Sequence, residues 1–167
     1  GIGNTLFPDD FPCANLFISM IGSHRGELGG SQYLSLINQE TTGTQPVVDL
    51  LMESRLQETI LTGIQGGLIQ SARAVGAGGI AVSIAKSFGK NAQLGARIHF
   101  SRKLKIDELL FGETQGLVIV TINETDLMEF ERVCMTIGIP ATTIGRVTDD
   151  GVYSFNEAIK LPVSKLV

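Results

Sequence analysis

At 167 residues the chain is long enough for one domain with a substantial core and short for two. Hydrophobic residues make up 43%, charged residues 18% and aromatics 6% with no Trp, the composition of a globular α/β-type domain, which excludes disorder. A net charge of −4 and a pI near 5.1 withhold the basic footprint of nucleic-acid binding, and no uninterrupted apolar run approaches a membrane span.

Residues 1–13 carry prolines, Asp9-Asp10 and glycine without periodicity, so they read as a linker or lead-in segment ahead of a single domain over 14–167. The chain starts with Gly and lacks the charged and apolar regions of a signal peptide. We expect a cytoplasmic domain cut from a longer polypeptide, although a processed start would look the same. Cys13 and Cys134 have no C-x-x-C spacing, and His24 and His99 complete no recognisable metal set. Cys134 is expected buried on a helix; no metal ligand and no catalytic residue is identified.

Ala14 to Ile21 is a short, almost continuous apolar run, as expected of a strand buried on both faces. It delivers the chain into GELGGSQYL, Gly26 to Leu34. Gly29 and Gly30 favour a loop that can approach a ligand closely, with Ser31 adding a hydroxyl and Glu27 a carboxylate. From spacing alone a purely structural turn is the commoner meaning of such a pair.

Pro46 opens a helical segment to about Ile69. Val48, Met52, Leu56, Ile60, Ile64 and Leu68 recur every fourth residue, a spacing that drifts by about 40° per step, so the stripe is expected to slide around the helix. Ser71 to Gly79 reads as a second glycine-rich connection. Ile80 to Phe88 is a helix stopped by Gly89, which places Gly78 and Gly79 at a helix N-terminus, where amides and dipole favour a phosphate as they do at any helix start.

Leu94, Ala96, Ile98 and Phe100 alternate with Gly95, Arg97, His99 and Ser101, a strand with one wet face on which His99 is a surface residue. A short helix over Ile106 to Phe111 leads through FGETQG into the apolar strand Leu117 to Ile122. An amphipathic helix starts near Thr125, with Leu127, Phe130, Cys134 and Ile137 on one stripe and Gly138 as its stop. Thr142 to Thr148, a turn at Asp149-Asp150-Gly151 and Val152 to Phe155 read as a hairpin. The order implies an α+β fold, a layered mixed β-sheet with packed helices.

Four segments together resemble one family: GELGGSQYL, SARAVGAGGIAVSIA from Ser71 to Ala85, LFGETQG from Leu110 to Gly116, and IGIPATTIGRVTDDG from Ile137 to Gly151. In this order they look like the C-terminal half-domain of phosphoribosylformylglycinamidine synthase, within the aminoimidazole ribonucleotide synthetase superfamily. The resemblance implies a fragment of an ATP-dependent carbon–nitrogen ligase of purine biosynthesis, which converts formylglycinamide ribonucleotide to its amidine with ammonia from glutamine. It implies ATP and Mg²⁺ in the intact enzyme, N-terminal-type half-domains carrying most of their site, and a glutaminase subunit or domain. Neither is expected tightly bound to this chain, which by itself should be inactive and prone to self-association, with no nucleic-acid or membrane partner.

One departure bears on the site. The family usually reads Ser-Ala-His-Asp-Val-Ser-Asp-Gly-Gly where this chain has Arg73, Ala74, Gly76 and Ala77 in place of the imidazole, the carboxylates and a hydroxyl. The candidate ligand- or phosphate-binding residues are Glu27, Gly29, Gly30, Ser31, Arg73, Gly78, Gly79 and Glu113. Arg73 either pairs with a phosphate or is a solvated surface arginine; Glu113, with Gln115, either faces an inter-domain cleft or buttresses a turn. The loops Gly26 to Ser31 and Gly76 to Gly79 are expected together at one edge of the sheet. Two alternatives stay open: a non-catalytic, structural or nucleotide-holding half-domain, and another superfamily member such as a selenophosphate synthetase, a thiamine-phosphate kinase or a hydrogenase-maturation relative.

Overall fold

The structure is a computed structural model that describes residues 7–22, 47–99, 116–156 and 159–167. Among these residues the strands are β1 (Phe17–Ile21), β2 (Ile69–Ala74), β3 (Gly95–Ile98), β4 (Val118–Ile122), β5 (Ala141–Thr148), β6 (Val152–Phe155) and β7 (Ile159–Pro162). The helices are α1 (Val47–Gln65), α2 (Gly79–Ser87) and α3 (Leu127–Ile137). The strands form one mixed sheet in the order β2-β4-β1-β5-β3-β6-β7, the α+β layered architecture expected.

β1 and β4 are the continuous apolar runs of the sequence, and they pair antiparallel near the centre of one half of the sheet. Because strand side chains alternate between faces, each run feeds two cores. Ile18, Met20 and Ile119 point to one side, where Ile80, Ile84 and Phe88 of α2 cover them together with Ala96, Ile98, Ile144, Val147 and Tyr153. Ile21, Val118, Val120 and Ile122 point to the other, under Leu56 and Ile60 of α1 and Phe130 and Cys134 of α3.

α1 does not extend to Ile69: it ends at Gln65. Its buried positions are Leu56, Thr59, Ile60 and Gly63, spaced i, i+3, i+4, i+7, so this half of the helix has one fixed face and no sliding stripe. Thr59 returns its hydroxyl to the Arg55 carbonyl at 2.8 Å, which lets a polar residue join that face. α2 and α3 follow their stripes, with Gly89 at φ 59° and Gly138 at φ 90° supplying the left-handed stops.

Two further sequence expectations are overturned. Ser71 to Ala74 is no glycine connection but the body of β2, antiparallel to β4. Its small side chains carry little β propensity by themselves, and the strand is made by its neighbour: Ser71 and Thr121 share a buried hydrogen bond of 2.5 Å, the kind of cross-strand pair that outweighs local preference. Nor do β5 and β6 form a hairpin. β3 inserts between them, antiparallel to β5 and parallel to β6, while the 149–151 turn passes over its start. That crossing depends on Gly95, because a Cβ there would run into the Val152 carbonyl, Asp150 Oδ1 and Thr148 Oγ1.

The lead-in segment crosses the sheet edge, with Phe7 against the core under α1 and α3 and Phe11 on the α2 side. Phe11 is buried edge-to-face on Phe88, with centroids 5.5 Å apart, Pro8 accepts a bond from the Ala72 N–H and Asn15 donates to the Val147 carbonyl.

Candidate functional site

The family-like segments attach to the sheet at one end. Val118, the first residue of β4, is the register partner of both Ile21, the last residue of β1, and Ala74, the last residue of β2. The chain therefore leaves β1 towards the GELGGS segment, leaves β2 towards Gly76–Gly79, and arrives at β4 from the LFGETQG segment, all within two strand spacings of about 4.8 Å each. The three roots are also fastened to one another. Gly22, at φ 113°, lies so close to Gly116 that a Cβ would strike the Gly116 carbonyl, and its N–H donates to the Pro140 carbonyl at 2.9 Å. The Val75 N–H donates to the Leu117 carbonyl, also at 2.9 Å.

The second glycine segment is a tight turn into α2. Gly78 and Gly79 take φ of 86° and 73°, conformations that favour glycine, and a side chain on Gly78 would collide with Val82. The Gly79 N–H is used within the turn, donating to the Gly76 carbonyl at 3.1 Å, and the Ser83 hydroxyl caps the Gly79 carbonyl at 3.0 Å. Beyond Gly79 the first-turn amides of α2 have no side-chain cap among the described residues, so they are the donors this end of the sheet can direct at an anion.

Arg73 is neither solvated nor idle. Its guanidinium donates through Nε to Ser87 Oγ at 3.0 Å, and through one terminal nitrogen to Asp10 Oδ1 at 2.9 Å, with the Lys86 carbonyl at 3.5 Å. Asp9 lies 3.6 Å away. In this arrangement it ties the lead-in segment to β2 and to the end of α2, and an anion that recruited it would have to displace Asp10. Glu27, Gly29, Gly30, Ser31 and Glu113 lie outside the described residues, as do the expected helix over Ile106 to Phe111 and the neighbouring Gln115. Among the described residues no three His, Cys, Asp or Glu side chains converge to hold a metal. The glycine turn leaves the amides behind it as donors of the kind a phosphate accepts.

Other titratable groups sit away from this end. Burial first, then the nearby Glu131 charge, push the Cys134 thiol up to about 11. Burial alone raises the Tyr153 phenol, whose hydroxyl donates to the Ala81 carbonyl at 2.7 Å. Asp150 is held below the usual carboxylate range chiefly by the Thr148 hydroxyl, at 2.7 Å. His99 is exposed at the end of β3, as expected.

Residues 17–156 match the family described as AIR synthase related protein, C-terminal domain. The chain belongs to this family. Among curated relatives, the phosphoribosylformylglycinamidine synthase subunit PurL of Symbiobacterium thermophilum is 35% identical over 168 aligned residues, covering 90% of this chain and 22% of the relative. That of Alkaliphilus metalliredigens is 34% identical over 137, covering 82% and 18%. The chain thus spans about a fifth of the length of these relatives. Among solved structures, PurLQS from Thermotoga maritima superposes with a TM-score of 0.77 at 20% identity, over 96% of this chain and 27% of that one. T. maritima PurL complexed with ATP gives 0.75 at 19%, over 98% and 27%. A thiamine-monophosphate kinase from Stenotrophomonas maltophilia gives 0.59 at 15%, over 90% and 53%. These solved structures share the fold, and the curated relatives at 34–35% identity are both phosphoribosylformylglycinamidine synthase subunits.

Proposed function

We propose that this chain is the C-terminal half-domain of a PurL-type phosphoribosylformylglycinamidine synthase, an ATP-dependent ligase of purine biosynthesis, and that it closes the nucleotide cleft from one end of its sheet. The observation that carries the reading is the shared root of the three segments: Ile21, Ala74 and Val118 lie side by side. Gly29, Gly30 and Ser31 would then present amides and a hydroxyl, Gly78 and Gly79 would set up the first-turn amides of α2, and Glu27 and Glu113 would orient the surrounding donors. ATP supplies the activating phosphoryl group, and this chain's own contribution is to hold an oxyanion with backbone N–H groups and to exclude water. Such donors stabilise negative charge by about 0.3–1 kcal/mol each when exposed and up to about 2 when partly buried.

No general acid or base is assigned to this chain, so catalysis requires N-terminal-type half-domains and an ammonia source such as a glutaminase. The test measures ATP-dependent amidation of formylglycinamide ribonucleotide with ammonia and Mg²⁺, by this chain alone and after mixing with N-terminal-type half-domains. Turnover is expected only in the mixture. Turnover by the chain alone, or none in a mixture shown to assemble, overturns the reading.

A specific observation favours a second reading, a nucleotide-holding half-domain without turnover. Arg73 stands where the family motif has an imidazole and is bound to Asp10, and no metal set converges among the described residues. Gly78→Val in the assembled enzyme separates the two. A drop in kcat assigns the site to catalysis, whereas unchanged kcat with a smaller gain in melting temperature on adding ATP assigns it to nucleotide holding.

A further inference from the structure

A second polar site lies away from the glycine turns, on the sheet face opposite α2, across β5, β3, β6 and β7. Register places Arg97 beside Arg146 on one side and Ser154 on the other, and Ser154 beside Lys160. Cross-strand partners share a face, so Arg146, Arg97, Ser154 and Lys160 form one transverse row. Like charges directly opposite destabilise a sheet, and the chain as a whole is acidic at −4. Arg146 is compensated, with Glu124 3.6 Å away and the Phe17 ring 4.6 Å beneath its guanidinium. For Arg97 and Lys160 no carboxylate lies within ion-pair distance among the described residues, although the Arg97 charge is near enough to Asp150 to help hold its carboxyl low.

Between them is an open pocket of about 190 Å³ lined by Arg97, Lys160, Ser154, Thr148, Asp150, Ala96 and Val152. One water needs only ~15 Å³. Gly95 lets Thr148 and Asp150 close in on β3 here, since they occupy the space a Cβ would take. Ser154 is 94% buried, being 6% exposed, yet its hydroxyl has no hydrogen-bond partner among the described residues. A buried hydroxyl without a protein partner is uncommon in a folded protein and leaves a donor free for water or a bound group. Asp150 does not fill that role: its Oδ1 already accepts from the Thr148 hydroxyl and the Val152 N–H, at 2.7 and 3.1 Å.

We infer that this pocket binds a tetrahedral oxyanion of the phosphate class, with the Arg97 fork on two oxygens, the Lys160 ammonium as a point charge and the Ser154 hydroxyl as a third donor. Guanidinium geometry suits such an anion, and it would cancel the repulsion along the row. Asp150 at the rim selects against bulky polyanions and leaves a place for a hydroxyl carried on the phosphate, so inorganic phosphate and a small phosphate monoester are the two sources to separate.

The experiment follows backbone amide shifts of the full chain against inorganic phosphate, glycerol phosphate and chloride at constant ionic strength. Saturable shifts at Arg97, Ser154 and Lys160 are expected with both phosphates and not with chloride; tighter binding of the ester identifies the monoester as the source, and equal binding identifies free phosphate. Ser154→Ala and Arg97→Ala should each weaken that binding by tenfold or more and leave any response at Gly76–Gly79 unchanged, which separates this site from the cleft proposed above. Thermal melting supplies an independent arm. Phosphate should raise the melting temperature of the parent chain, and Arg97→Ala should lose most of that rise. Shifts that do not saturate, that chloride reproduces, or that survive both substitutions overturn the inference.

Discussion

Gly95 shows how much of this fold can rest on the absence of one side chain. The 149–151 crossing over β3 needs the space in which Thr148, Asp150 and the Val152 carbonyl sit, and two of those three partners cannot yield because they are backbone or hydrogen-bonded to it. Gly95→Ala should therefore destabilise the chain by about 1–3 kcal/mol, the usual range for overpacking, read as a lower denaturation midpoint with unchanged m-value. The two thiols make a contrasting pair. Cys13 is exposed and Cys134 buried, so a thiol reagent should label Cys13 quickly and Cys134 only on unfolding. Because the folded Cys134 thiol titrates near 11 and an unfolded one near ~8.5, the unfolded chain sheds that proton first. Its contribution to stability is complete below about pH 8.5 and lost as pH rises towards 11. Cys134→Ala should flatten the fall of stability across that window, measured as urea midpoints between pH 8 and 11.

At the scale of elements, what the sequence revealed followed from how local each signal was. β1, β4, α2 and α3 were legible because their own apolar patterns and glycine stops specify them: all of Val118–Ile122 is buried, as a continuous apolar run demands. β2 was hidden because Ser71, Ala72 and Ala74 have no strand preference, and pairing with β4, including the Ser71–Thr121 bond, makes that stretch a strand. The apparent β5–β6 hairpin failed for a related reason: a turn signal cannot report that a distant strand has been inserted between its arms. Of the site, the chemistry of the glycine segments was legible, but the role of Arg73 was not, since it depends on Asp10, 63 positions away in sequence. The lead-in segment supplies a prediction at this scale. With Asp10 half-exposed and the arginine mostly covered, Arg73→Ala should cost only about 1 kcal/mol globally. It should still free residues 7–12, seen as faster amide exchange at Phe11, whose N–H donates to the Ser87 carbonyl at 2.7 Å, and as proteolytic nicking ahead of Asn15.

For the whole molecule, the large apolar side chains that are proportionally most exposed among the described residues lie on the outer surface of the helical layer. Leu50 and Leu61 of α1 are 64% and 56% exposed, and Met128 and Met135 of α3 are 82% and 81% exposed. Positions 128 and 135 are seven residues apart, hence on one face of α3, opposite the buried Phe130 and Cys134. The inward stripe already holds the domain together, so these outward residues add nothing to its own core. Large apolar side chains grouped on a surface mark contact with something else, and the chain spans about a fifth of its curated relatives, so a longer polypeptide would offer such a contact. In its absence the same surface should pair copies of this chain. Sedimentation velocity over a hundredfold concentration range should show reversible association. The double substitution Met128→Glu and Met135→Glu should abolish it while leaving the melting temperature within a few degrees, since neither side chain is buried. A wild-type chain that stays strictly monomeric at the highest concentration would show that this surface is inert, and association that survives the double substitution would move the contact to another face.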